Sequence, residues 1–182
     1  MTAIAHPVAY ALPDIGFDAE AVVRDYQTFL SRVPAYTGEG TDPGYGLTHR
    51  KGVADPWRDA AVGQYDQATG EKRYEEEEFS EFNEHCRDLV FHDIVKSMPF
   101  QVGRARLITL NPVDIYHMHV DSTRKAHVAI VTNENSRFLF GSGLTYHVPV
   151  DGRVYVFDTK TPHSAYNAGS EDRVHLVMSI ID

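Results

Sequence analysis

Apolar residues follow two regimes along this chain. Before residue 99 they recur at spacings of three and four, and from residue 102 they come in short runs broken by turn formers. Val22, Val23, Tyr26, Phe29, Leu30 and Val33 make one helical stripe. Asp18 is placed to cap it, Phe17 to staple onto Val22, and Pro34 to end it. Residues 1–16 hold three Pro or Gly and show no period, which predicts an irregular arm. Residues 35–73 are rich in Gly, Pro and polar groups and read as a long loop, with short extended pieces near Tyr45–His49. A second helix is expected from Glu75 to Pro99. Glu75–Glu78 would form its solvated, dipole-favoured start, and Phe79, Phe82, Cys86, Leu89, Val90 and Ile94 its apolar stripe. Cys86, His85 and His92 then read as ordinary residues of that helix.

The second regime is rich in Val, Ile, Phe and Tyr. It predicts strands over 102–110, 114–120, 125–132, 136–140, 144–149, 153–158, 162–167 and 173–181. The breaks fall at Asn111-Pro112, Asp121-Ser122, Asn133–Asn135, Gly141–Gly143, Asp151-Gly152 and Ala168–Ser170. Eight or so short strands point to a mainly β, double-sheet jelly roll with the N-terminal helices packed outside one sheet. One domain over residues 1–182 is expected, divided into a helical and loop part (1–99) and a β-barrel core (100–182).

Composition narrows the function classes. The chain is 42% hydrophobic with a formal net charge of −9, which disfavours nucleic acid and anionic membrane as partners. No apolar run approaches the ~20 residues of a membrane span. A single cysteine, Cys86, fits a reducing compartment, and no secretory signal is evident, so a cytoplasmic location is expected. Six of the ten histidines lie between His117 and His175, an unevenness that hints at a metal.

The stretch Tyr116-His-Met-His-Val-Asp121 carries the sharpest chemistry. On a strand, alternate side chains share a face, so His117, His119 and Asp121 would point together. His119 and Asp121, completed by His163 after Thr161-Pro162, would make the two-histidine, one-carboxylate set that holds Fe(II) by one face. His117 has the same parity and is either an alternative ligand or part of the pocket wall. Arg173 follows His163 by ten residues, and a guanidinium inside a barrel needs an anion. The distal carboxylate of 2-oxoglutarate is the natural candidate, with Lys125 or His127 meeting its other carboxylate. Singly, each histidine reads better as a packed core residue; the combination with Asp121 and Arg173 reverses that weighing. Asn167 is open between lining the site and satisfying backbone. His147, His175 and Asp158 read as structural.

From Arg104 to Asp182 the chain resembles the aspartyl/asparaginyl β-hydroxylase family, which also holds proline-hydroxylase-like members. The matching pieces, in the family's order, are Arg106-Leu-Ile-Thr-Leu-Asn-Pro112, His119-Val-Asp121, His127-Val-Ala-Ile-Val-Thr-Asn133, Gly152 through Phe157-Asp158, His163-Ser-Ala-Tyr-Asn167 and Arg173-Val-His-Leu-Val177. The resemblance implies a double-stranded β-helix, Fe(II), 2-oxoglutarate and dioxygen. By position it makes His119, Asp121 and His163 the metal ligands and gives Arg173 the distal carboxylate. It sets His127 near the cosubstrate. The family usually carries Arg two residues before that histidine, where this chain has Lys125. The implied reaction is hydroxylation of an unactivated C–H bond, with release of succinate and carbon dioxide.

Two other readings stand beside it. Gly152, His163 and Asn167 also fit the second cupin motif, which suggests a metal-dependent isomerase or dioxygenase without 2-oxoglutarate. That reading leaves Arg173 without a role. A non-catalytic barrel used only for binding is the other. The substrate is expected to be a small molecule or peptide, amino-acid-like, with Trp57, Tyr65, Arg104, Arg106, His117 and Arg124 as candidate contacts.

Overall fold

The structure, a computed structural model, describes residues 8–36, 44–66 and 68–182. Part of the expected 1–16 arm and part of the 35–73 loop therefore lie outside the described residues. The strands are β1 (Ala9–Gly16), β2 (Tyr45–Gly46), β3 (Thr48–His49), β4 (Glu81–Phe82), β5 (Gln101–Leu110), β6 (Asp114–Ile115), β7 (Lys125–Val131), β8 (Ser136–Phe140), β9 (Thr145–Tyr146), β10 (Arg153–Phe157), β11 (His163–Asn167) and β12 (Arg173–Ile181). The helices are α1 (Ala19–Arg32) and α2 (Val90–Lys96). Antiparallel pairing builds a large sheet in the order β1-β10-β7-β12-β5-β2 and a small one in the order β6-β11-β8-β9, with β3-β4 as a separate ribbon. This is the mainly β, jelly-roll core that the short apolar runs predict.

The large sheet is buried on both faces, and strand parity sorts its side chains. Ala126, Val128 and Ile130 of β7 and Val174, Leu176 and Met178 of β12 join Val22, Phe29, Phe91 and Ile94 of the helices in one apolar cluster. The opposite face looks toward the small sheet. There Leu110, Ala129, Tyr155 and Phe157 pack with Phe138, Phe140 and Ala165. The remaining inward positions of β5, β7 and β12 are mostly polar, with Ile108 and Val177 among them, and they form the site.

α1 begins as its sequence predicts: the Asp18 carboxylate accepts from the Glu20 N–H at 3.0 Å. It ends at Arg32, with Val33 as its C-cap before Pro34. The strands expected over 114–120 and 144–149 shorten to the two-residue β6 and β9, and two larger expectations fail. Residues 9–16 are not irregular; they pair with β10 as an edge strand, and Pro13 with left-handed Asp14 (φ 60°) falls in its bulge between Ala11 and Gly16. The second helix is not continuous. Glu76–Glu78 and Glu84–Cys86 are single 3-10 turns, Glu81–Phe82 is strand β4, and only Val90–Lys96 is α-helical. The apolar residues are buried as expected but against different surfaces. Phe79 packs with Ala60 and Tyr74, whereas Cys86, Leu89 and Ile94 join the outer cluster. A straight helix cannot serve both. Val90 N–H, at the start of α2, donates to the Asp25 carboxylate of α1 at 2.7 Å, so one helix caps the other.

Candidate active site

His119 and Asp121 lie on the segment after β6, and His163 opens β11. The backbones of His119 and His163 exchange two hydrogen bonds of 2.9 Å each, and Asp121 N–H donates to Thr159 O at 2.8 Å. These bonds hold the three side chains at the open end between the sheets. His119 Nε2 is 3.7 Å from one Asp121 oxygen, and His163 Nε2 is 3.7 Å from the other. One ligand atom from each of the three lies within 4.8 Å of the others.

Alternation alone misplaces His117. Tyr116 N–H donates to Ala165 O, and His119 pairs with His163. Three steps on this segment therefore span two on β11, which is a bulge. It turns Tyr116 into the cavity and leaves His117 exposed. The carbonyl of His117 still matters, because it lies 2.8 Å from His119 Nδ1. Thr161 O lies 3.0 Å from His163 Nδ1 in the same way. A carbonyl only accepts, so both rings carry their proton on Nδ1 and keep the Nε2 lone pair free. Burial lowers the pKa of His163, against the opposing pull of that carbonyl, which favours the neutral ring a metal requires. Two Nε2 lone pairs and a carboxylate converging on one point fit a divalent metal of intermediate hardness.

Behind them, the inward face of the large sheet is a ladder of cations and imidazoles. In register, Tyr155, His127, Val177 and Arg106 form one row, and Phe157, Lys125 and Ser179 the next. Arg173, opposite Leu110, lies two rows further in. Its guanidinium donates to His175 Nδ1 at 2.9 Å and lies 4.8 Å over the Phe138 ring. Among the described residues no carboxylate lies within 4 Å of it. Burial draws its pKa down to about 10, so it remains a cation at neutral pH. Arginine cannot accept, so His175 is neutral with its proton on Nε2, where it has no partner. Both ring nitrogens of His127 are also buried without a partner, and burial, with Arg173 adding, holds that ring well below its ordinary pKa. A buried arginine without a carboxylate and an unsatisfied imidazole are what a cavity built for an anionic ligand leaves behind.

Lys125 is placed differently. Its ammonium donates to Ser179 Oγ at 2.7 Å and Thr123 Oγ1 at 3.0 Å and lies 3.4 Å from a Glu76 oxygen. Burial, opposed by Glu76, lowers its pKa to about 8. Glu76 corrects the sequence reading of a solvated acidic start. It is 2% exposed, grips Arg104 through two bonds of 3.1 and 2.9 Å, and accepts from Ser179 at 2.6 Å. Arg104 is also bonded to the Tyr74 hydroxyl. A Cβ on Gly103 would overlap the Glu76 carbonyl, so glycine is what lets this turn run against β5.

These groups line a cavity of about 300 Å³ that holds His119, Asp121, His163, Lys125, His127, Arg173, Arg106 and Tyr116 in its wall. Of the six candidate substrate contacts, only Arg106 is there. Trp57 is core, stacked on His85 at 5.4 Å. Tyr65 and His117 are exposed, Arg104 is paired with Glu76, and Arg124 with Asp182. Asn167 resolves as a backbone-satisfying residue, bonded to the carbonyls of Leu110, Asn111 and Glu171. His147 is likewise tied to a carbonyl, that of Ser136. Burial pushes the Cys86 thiol up to about 12, consistent with an inert core residue. The loop contributes Ala61 to the wall and ties Gln64 to Ser122 at 3.2 Å, beside Asp121. Sequence reasoning missed Tyr116 and Phe138, both of which read as plain strand residues.

Solved structures that align with nearly all of this chain include two of similar fold. An oxidoreductase of the 2OG-Fe(II) oxygenase family from Burkholderia pseudomallei has 15% identity and a TM-score of 0.52, covering 94% of this chain and 83% of its own. A non-heme monooxygenase, ThoJ, in a nickel complex has 11% identity and a TM-score of 0.50, covering 96% of this chain and 73% of its own. At such identities the likeness is one of fold. No curated protein sequence matches. The family model for aspartyl/asparaginyl β-hydroxylases, however, matches residues 17–182, which span the helices, the loop and every residue of the cavity, and this protein therefore belongs to that family of hydroxylases.

Proposed function

We propose that the protein is an Fe(II)- and 2-oxoglutarate-dependent dioxygenase. It hydroxylates an unactivated C–H bond of an amino acid or amino-acid residue and releases succinate and carbon dioxide. The observation that carries this reading is one cavity in which His119, Asp121 and His163 converge and the buried cation Arg173 has no carboxylate partner among the described residues. A cupin enzyme that does not use 2-oxoglutarate leaves that guanidinium unexplained, and a recognition barrel has no need of the convergent triad.

In this reading His119, Asp121 and His163 would hold the metal. Fe(II) with 2-oxoglutarate supplies dioxygen activation coupled to oxidative decarboxylation. The chain does the rest. Arg173 receives the distal carboxylate of the cosubstrate through its planar fork, fixed by His175 and Phe138. His127 and Lys125 face its other end. The carbonyls of His117 and Thr161 hold both metal-binding imidazoles in the Nδ1–H tautomer. Phe138, Val177 and Ile108 supply apolar wall that excludes water, so that the reacting C–H bond is positioned rather than solvated.

Anaerobic titration of the Fe(II)-loaded protein with 2-oxoglutarate tests this. A visible metal-to-ligand charge-transfer band is expected, and Arg173→Ala is expected to shift its midpoint to at least tenfold higher 2-oxoglutarate. His119→Ala, Asp121→Ala and His163→Ala are each expected to weaken Fe(II) binding sharply while the fold persists. Iron binding without a band returns the protein to the cofactor-independent cupin class. Unchanged iron binding in all three variants removes the triad from its role.

A further inference from the structure

Arg104 and Arg173 stand on the adjacent strands β5 and β12 and are both buried, yet opposite chemistry holds them. Arg104 is gripped by the Glu76 carboxylate through two bonds, which cancels its charge. Arg173 is held by an imidazole: its Nη2 donates to His175 Nδ1, and its guanidinium lies over the Phe138 ring. No other hydrogen bond engages it among the described residues, so four of its five N–H donors are left for the cavity it lines. His175 itself is 1% exposed and lies opposite Ile108 and Ala129, with the His127 ring 5.7 Å away. As a packing residue it is poorly chosen. With Nδ1 accepting, its proton sits on Nε2, and that buried donor has no partner. An apolar side chain of similar size would fill the space without stranding a donor. An imidazole adds the acceptor that leucine lacks and omits the negative charge that aspartate brings.

We infer that His175 is a positioning residue for the cosubstrate: a neutral acceptor that fixes the Arg173 fork while leaving its positive charge to the incoming carboxylate. This rests on the proposed cosubstrate reading. A guanidinium with no acceptor beside it keeps its rotamer freedom, and ordering it on binding costs affinity. A carboxylate in the same place would order it but take the fork bidentately, as Glu76 does for Arg104, and the ligand would then meet a neutral pair. The imidazole meets both demands provided that it stays uncharged, and its surroundings ensure this. Burial acts first against the imidazolium, and Arg173, His127 and His147 add to that effect with no carboxylate to oppose them. The Phe138 ring attracts the cation without occupying an N–H donor. Selection follows from this arrangement: a 2-oxo acid with a distal carboxylate is favoured over one that ends in a methyl group.

Anaerobic titration of the Fe(II)-loaded protein compares 2-oxoglutarate with 2-oxovalerate, a 2-oxo acid of the same chain length without the distal carboxylate. The charge-transfer band reports both, in wild type, H175N, H175D and H175L. Asparagine sets an amide oxygen near the position of Nδ1, and aspartate has the same shape with a charge. H175N is expected to keep the 2-oxoglutarate midpoint within about threefold of wild type. H175L is expected to raise it about tenfold, and H175D at least tenfold above H175N, the scale of one charge-assisted hydrogen bond. The 2-oxovalerate midpoint is expected to stay in place throughout, because that molecule offers the guanidinium nothing. A folding or metal-loading defect moves both acids together, so their ratio isolates Arg173 even in a weakened variant. Separately, nitrogen-15 NMR of the metal-free protein is expected to show the His175 ring, assigned by its loss in H175N, with bare Nδ1 and protonated Nε2 from pH 6 to pH 8. The inference is overturned if H175D and H175N bind 2-oxoglutarate alike, if H175L matches wild type, if the variants move both acids equally, or if the ring is cationic or protonated on Nδ1. Wild-type protein without a band sinks the cosubstrate reading instead. The ring tautomer and the H175D–H175N comparison, repeated with glutarate on metal-free protein, then decide whether His175 holds Arg173 ready for an anion.

Discussion

Lys125 is a cavity side chain whose charge changes within an ordinary working range of pH. Burial favours its neutral amine, Glu76 and Asp121 favour the ammonium, and Arg104 and Arg106 oppose it; the balance puts its pKa near 8. In the cosubstrate-free protein it is therefore a cation below about pH 8 and neutral above. As a third positive group in a cavity proposed to take a dianion, it makes 2-oxoglutarate affinity pH-dependent. The charge-transfer midpoint is expected to weaken by roughly tenfold from pH 7 to pH 9, the scale of one charge-assisted hydrogen bond. Lys125→Arg is expected to flatten that profile, because a guanidinium does not titrate there. A flat wild-type profile shows that the ammonium stays on Glu76 and never meets the cosubstrate. The proposed metal ligands are legible from their types, since two imidazoles and a carboxylate have few joint uses. Tyr116 is not, because parity counted from His119 places it outward, and only the bulge against β11 brings it in.

At the scale of elements, the legible parts are those that local chemistry decides. α1 starts at its capping aspartate and stops before its proline, and β8 and β12 fall on the residues that their Val, Ile and Phe runs mark. The 75–98 region defeated periodicity because burial at three- and four-residue spacing is satisfied equally by turns that visit two surfaces. What breaks the helix is Glu76, drawn inward to Arg104 and Lys125, information that sits on β5 and β7 and not on neighbouring residues. Burial pushes its carboxyl up, but those two cations outweigh burial and hold it below its ordinary value. Its contribution is thus complete at neutral pH and is lost on acidification. Glu76→Gln strands two buried cations and is expected to cost about 3–5 kcal/mol in urea unfolding, the range for breaking a buried pair. Glu77→Gln, on the exposed side of the same turn, should stay within about 0.5 kcal/mol. Equal, small effects would mean that the turn is held by packing alone.

Across the whole molecule, stability and function are divided between the two faces of one sheet. The outer face of the large sheet, with α1 and α2, carries the larger apolar cluster, whereas the inner face keeps charged and unsatisfied groups beside the cavity. Ligands that complete the inner face should therefore stabilise the fold without touching its main core. A ligand that binds only the folded state adds about 2.7 kcal/mol at one hundred times its Kd. Anaerobic urea unfolding is expected to show two separable increments, one from Fe(II) and one from 2-oxoglutarate. Arg173→Ala should lose most of the second and keep the first. Phe29→Ala is the converse variant. Phe29 is fully buried against Tyr45, Trp57 and Phe91, so its truncation is expected to cost about 3–5 kcal/mol while both increments persist. If Phe29→Ala also abolishes the ligand increments, the two faces are one cooperative unit, and the cavity's geometry depends on the helices packed behind it.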